Sequence, residues 1–175
     1  MVNQNLNFSE NYDIIDLENK RRFCSMEYSR EYNKTLCERF PWLIPRTWED
    51  IPIEDYEFTW LDDMPRGWRI AFGEEMCERI QAVLEKGNFV NEYRITQIKE
   101  KFGGLRWYDN GGPIEIYDEL QGIIEEYEEK SFFICAVCGA PATKVSQGWY
   151  YPFCDECAKN VQSNFVDIKE FYKEI

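Results

Sequence analysis

The chain has 175 residues, enough for one domain with a real core, and 44% of them are apolar. Thirty-three acidic residues against twenty basic ones leave a formal charge of −13, which repels phosphate backbones and disfavours long nucleic acid as a partner. Histidine is absent, which excludes His general bases, Ser-His and Cys-His nucleophile pairs and His-containing metal sites.

Residues 1–12 are polar and read as a loose tail, without the basic segment and apolar run of a signal peptide. No stretch approaches the ~18 apolar residues of a membrane helix, so a protein of the reducing cytoplasm is expected. In that compartment seven cysteines point to thiols and metal rather than disulfides. Helical spacing over residues 16–40 places Phe23, Met26, Leu36, Cys37 and Phe40 on one face, and Pro41 ends the helix. Residues 41–65 hold several prolines and tryptophans and read as an extended connector packed on the main body. A second helix over 67–86 carries the stripe Phe72, Met76, Ile80, Val83 and Leu84, with Gly87 as its C-cap. Residues 93–98 and 105–109 read as paired strands joined through Gly103-Gly104, although Ile95, Ile98 and Phe102 also fit a helix. Asn110-Gly111-Gly112-Pro113 opens a third helix to about residue 130, with Ile116, Leu120, Ile123, Ile124 and Tyr127 as its stripe. A short helix around Phe165, Ile168 and Tyr172 closes the chain.

The expected architecture is α+β. Helices pack on a small antiparallel sheet, the hairpin around 93–109, within a core domain over 13–131. A zinc ribbon over 132–158 and a C-terminal helix over 159–175 follow.

The strongest chemical signal is Cys135-Ala-Val-Cys138, followed after fifteen residues by Cys154-Asp-Glu-Cys157. Two Cys-x-x-Cys pairs at this spacing match a four-thiolate zinc site, and iron in a rubredoxin-like centre is the alternative for the same ligands. Four thiolates close the tetrahedron, so one structural zinc ion is expected. The loop between the pairs has one lysine, Lys144, beside Trp149, Tyr150 and Phe153, which favours a staple over a nucleic-acid reader. Cys24, Cys37 and Cys77 fall at apolar helix positions and read as buried inert thiols. Six Trp, eleven Tyr and twelve Phe exceed what such a core needs, so some rings should line a groove or an interface, a homodimer's included.

The most unusual run is Gln97 to Tyr108, QIKEKFGGLRWY, which sets Lys99, Lys101 and Arg106 beside Phe102, Trp107 and Tyr108. Trp68 and Arg69 repeat the pairing after Gly67. Rings that stack on a base and cations that meet phosphate can hold a nucleotide; a hairpin with a solvated basic edge is the structural alternative. The Gly67-Trp68 helix start, this run, the helix after it and the Cys pairs with Trp149 before the second resemble a family of small bacteriophage and prophage proteins. The resemblance covers residues 60–160. Relatives carry His in place of one second-pair cysteine, whereas this chain has Cys157. The resemblance implies an accessory protein acting in the bacterial cytoplasm on a host component, and carries no catalytic residue with it.

Combined with the ring-and-cation run, it points to a counter-defence protein that sequesters a small nucleotide-derived messenger. The ligand residues would be Trp68, Arg69, Lys99, Lys101, Arg106, Trp107 and Tyr108. The alternative is an acidic protein–protein inhibitor or adaptor that binds a host protein, with the zinc ribbon purely structural. Catalysis is not expected: the metal site is closed, and the nearest carboxylate pair, Glu74 and Glu75, sits on an ordinary charged helix face.

Overall fold

A computed structural model describes residues 30–47, 49–53 and 58–172. The expected start of the first helix, the tail over 1–12, and Phe23, Cys24 and Met26 lie outside these residues. Helix α1 spans Arg30–Arg39 and buries Leu36 and Cys37, and Phe40 follows it into the core. The segment after it is less extended than its prolines suggest. It makes a 3-10 turn at Pro41–Leu43 and a second at Trp60–Asp63, capped by Thr59 and Asp62 in a reciprocal capping box. Trp42 is buried and donates its indole N–H to Gln81 at 2.8 Å.

Three contiguous stretches form the second helical rod: α2 at Arg66–Trp68, a π-helical turn at Arg69–Gly73, and α3 at Glu74–Lys86. Phe72, Met76, Ile80, Val83 and Leu84 are all buried, as their spacing predicts. Gly87 is the C-cap of α3, as its position predicts, but in right-handed backbone. Its φ is −86°, and Asn88, at φ 49°, takes the left-handed position instead. Glycine is needed at 87 because Ile116 would lie 3.1 Å or less from any Cβ there.

Strands β1 (Ile95–Lys101) and β2 (Gly104–Asp109) pair antiparallel, with Ile98 opposite Trp107 and Lys99 opposite Arg106. The turn is Phe102-Gly103 rather than Gly103-Gly104. Phe102 (φ 54°) and Gly103 (φ 81°) both adopt left-handed backbone, while Gly104 opens β2 under the Phe132 ring. Helix α4 (Ile114–Ser131) packs against α3 and the hairpin through Ile116, Leu120, Ile123, Ile124 and Tyr127. It also closes the free edge of β2. The Leu105 amide donates to Ser131 Oγ at 2.8 Å and the Trp107 amide to Glu128 at 2.9 Å.

A second antiparallel sheet has the order β4 (Pro152–Phe153), β3 (Lys144–Ser146), β5 (Phe165–Asp167), with α5 at Asp155–Ala158 and α6 at Ile168–Phe171. Phe165 therefore begins a strand rather than a helix, because Val145 and Ser146 offer it and Val166 an edge to pair with. The described residues thus form an α+β fold with two small antiparallel sheets, and a cluster of four cysteines sits beside the second. No helix among them is long and apolar enough to cross a membrane.

Candidate metal centre and ring-and-cation face

Each Cys pair is shaped by backbone hydrogen bonds before any metal is considered. In the first, the Gly139 amide donates to Cys135 O at 2.9 Å and the Cys135 amide to Ala140 O at 2.7 Å. Gly139 has φ 81°, which suits glycine, and it also lies where a Cβ would press on Gly67 O at 2.7 Å. In the second, Cys154 caps α5, accepting from the Cys157 amide through sulfur. The sulfurs of Cys135, Cys138, Cys154 and Cys157 all lie within 4.8 Å of one another, and those of Cys138 and Cys154 are 3.6 Å apart. That separation is too long for a disulfide. Sulfurs about 2.3 Å from a shared tetrahedral zinc would stand roughly 3.8 Å apart, so the donor set fits such an ion. The four residues could hold one metal ion with every ligand position filled by thiolate.

The cysteine cluster is seated on the start of the second helical rod. Gly67 donates its amide to Ala136 O at 2.7 Å, and Trp68, fully buried, donates its indole N–H to Ile134 O at 2.9 Å and stacks on Tyr151. An added Cβ at Gly67 would overlap Cys135 O and stand 2.7 Å from both Ala136 C and Gly139 N. Gly67 and Trp68 therefore belong to the seat of the cysteine module.

The seven residues read as ligand-binding do not converge on one cavity. Trp68 and Trp107 are interior, and the Trp107 indole donates to Tyr93 Oη at 3.0 Å, which in turn donates to Asp109 at 2.6 Å. Arg69 is buried too; it pairs with Asp62 and donates to Asn33 at 2.8 Å. Lys99, Lys101, Arg106 and Tyr108 do share one face, the outer face of the hairpin, because the pleat sends alternate residues to opposite sides. Lys99 Nζ lies 5.0 Å from the Tyr108 ring centroid and Lys101 Nζ 5.4 Å from that of Phe102. Arg106 lies over Phe132 at 5.8 Å. An open concavity of 420 Å³ occurs elsewhere, between α3 and α4, lined by Arg79, Val83, Asp118, Glu119 and Ile123 among others. It includes none of the seven.

Comparison with protein-family models, with curated proteins and with solved structures returns no match. The site must therefore be read from its own chemistry.

Sequence reasoning missed the residue that joins the hairpin to the cysteine module. Glu100 accepts from the Gly103 amide at 2.6 Å and from the Trp149 indole at 3.0 Å, and Gly103 packs under Tyr150 O. Nothing in the sequence links positions 100 and 149, which meet only in the fold. Glu74 is bound by Tyr32 at 2.9 Å and by Arg39, which hold its carboxyl below the usual range, Arg39 contributing most. Glu75 faces Lys130 at 3.5 Å. Burial pushes the Cys77 thiol well above its ordinary value, and Cys37 is buried as well.

Proposed function

We propose that this is a binding protein which engages another protein through the hairpin tip and the adjoining loop of the metal module, with one zinc ion as a structural staple. The observation that carries the reading is the exposure of Phe102 (67%) and Trp149 (61%) on firmly supported backbone. Large rings left in water at a braced site supply contact area at small entropic cost. Glu100 clasps the tip to the loop, and Tyr150, Phe171, Tyr172 and Phe132 continue the ring contacts to Arg106. In the setting the sequence resemblance implies, the partner is a host protein of the bacterial cytoplasm, and the protein is an accessory inhibitor or adaptor.

Capture of a nucleotide messenger is the second reading. It is supported by the Lys99–Tyr108 and Lys101–Phe102 pairs, which offer a cation and a ring side by side on an open strand face.

Native mass spectrometry of protein purified from bacteria without denaturation separates the two. The protein-binding reading expects one zinc per chain and a stoichiometric protein complex that Phe102→Asp dissolves. A nucleotide retained at one per chain and released intact on denaturation would replace it with messenger capture.

A further inference from the structure

The outer face of the hairpin carries two neighbouring ammonium groups, Lys99 and Lys101. Several helix cations meet carboxylates: Arg39 meets Glu74 and Glu78, Arg79 meets Glu126, Lys86 meets Glu119 and Lys130 meets Glu75, whereas Lys34 and Lys169 stand singly without an ion pair among the described residues. On the β2 half of the hairpin Arg106 lies 3.9 Å from Glu128 and is covered by Phe132. On the β1 half, Lys99 and Lys101 make no ion pair with any carboxylate among the described residues. Lys99 donates to Gln97 at 2.6 Å, and each lysine is backed by a ring. Among the described residues these two ammonium groups stand side by side without an ion pair, in a chain with thirty-three acids and twenty bases.

We infer that Lys99 and Lys101, with Phe102 and Tyr108 beside them, form a docking strip for an extended protein segment bearing acidic side chains at alternate positions. This rests on the protein-binding reading and specifies its partner. Residues 99 and 101 share a face of β1, so their side chains are spaced about 7 Å apart along the strand. Alternate side chains of an extended partner segment have the same spacing, so two carboxylates can meet both ammonium groups without bending either chain. The backing rings hold the lysines in place and supply apolar area next to the charges, which strengthens a contact pair. The overall charge of −13 opposes an acidic partner only at range. At physiological salt it is screened beyond about 8 Å, whereas pairs at contact are not.

The test uses the intact zinc-loaded protein, labelled for heteronuclear NMR, and a synthetic peptide alternating Glu and Thr. A matched Gln–Thr peptide and a cyclic dinucleotide serve as comparison probes. The Glu–Thr peptide should shift the resonances of residues 97–102 and Tyr108, while the Gln–Thr peptide leaves them in place. Lys99→Glu with Lys101→Glu should weaken binding roughly tenfold or more, with Lys99→Gln and Lys101→Gln intermediate. Zinc content and melting temperature should stay unchanged, which shows that the variants fold. Equal shifts with the Gln–Thr peptide would overturn the acidic-segment inference and leave the protein-binding reading standing. Shifts with the cyclic dinucleotide and with neither peptide would overturn both. Movement confined to the concavity between α3 and α4 would place docking elsewhere and overturn the inference.

Discussion

Replacing Gly67 with Ala sets two effects of opposite sign against each other. On helix propensity alone the change should stabilise, by about 1 kcal/mol. The structure predicts the reverse. The new methyl would overlap Cys135 O and approach Ala136 C and Gly139 N at 2.7 Å, and all three are backbone atoms of the first Cys-pair turn, which cannot swing aside. Overpacking of that kind costs about 3 kcal/mol. Prising the turn away would also stretch the Gly67–Ala136 hydrogen bond, at about 1 kcal/mol more. The net expectation is a loss of about 3 kcal/mol, or roughly 6–12 °C in melting temperature for a chain of this size. Gly122 is the matched control: it lies exposed in mid-α4 with nothing within 4 Å of an added Cβ, so Gly122→Ala should gain about 1 kcal/mol. Denaturant unfolding at fixed free zinc measures both. A Gly67→Ala protein as stable as the parent would show that the cysteine module does not sit on α2, and would refute the packing argument.

Other consequences can be measured on the same footing. Cys138→Ser should lower bound zinc from one per chain to well under one in elemental analysis, and Trp149 emission should report the loosened loop. Asp62→Ala should cost about 2 kcal/mol, because it removes one charged partner of the buried Arg69, whose Asn33 contact remains, together with the cap on the Thr59 amide; Ile70→Ala on the exposed side of the helical rod should cost less. Burial raises the phenols of Tyr32 and Tyr172 to about 12, and burial with Asp109 raises Tyr93 well above its usual value. Folded pKa values above the unfolded one, about 10, contribute stability that is present below pH 10 and lost as pH climbs towards 12. Unfolding midpoints should therefore fall across that window, and Tyr32→Phe should make the decline shallower.

The helices were legible because a 3.6-residue stripe survives any detail of packing; every residue of the stripes over 72–84 and 116–127 is buried. The four cysteines were legible for a different reason, since their spacing alone predicts that they meet. The hairpin was read with its turn one residue late. A Gly-Gly pair looks like two left-handed positions, but Gly104 is there to pass under Phe132, and the Glu100–Gly103 hydrogen bond steadies the strained Phe102 turn. The ring-and-cation reading of Trp68-Arg69 was divided by the fold. Adjacency of a ring and a cation does not say which way either points, and on a helix start that seats another module both turn inward. Two of the partners that settle their roles, Ile134 and Asn33, lie too far away in sequence to pair by inspection, and Asp62, seven residues before Arg69, is brought to it by the turn between them.

The most direct test of the proposed working surface is site-specific photo-crosslinking in bacterial cells from position 102, compared with Ile114. Ile114 is 81% exposed and stands at the opposite end of the eighteen-residue α4 from Ser131, which binds Leu105 near the hairpin tip, roughly 27 Å along the helix. The account predicts a discrete protein adduct from 102, none from 114, and loss of the first when Cys138→Ser removes the metal support. Adducts of equal yield from both positions, or none from 102, would contradict it.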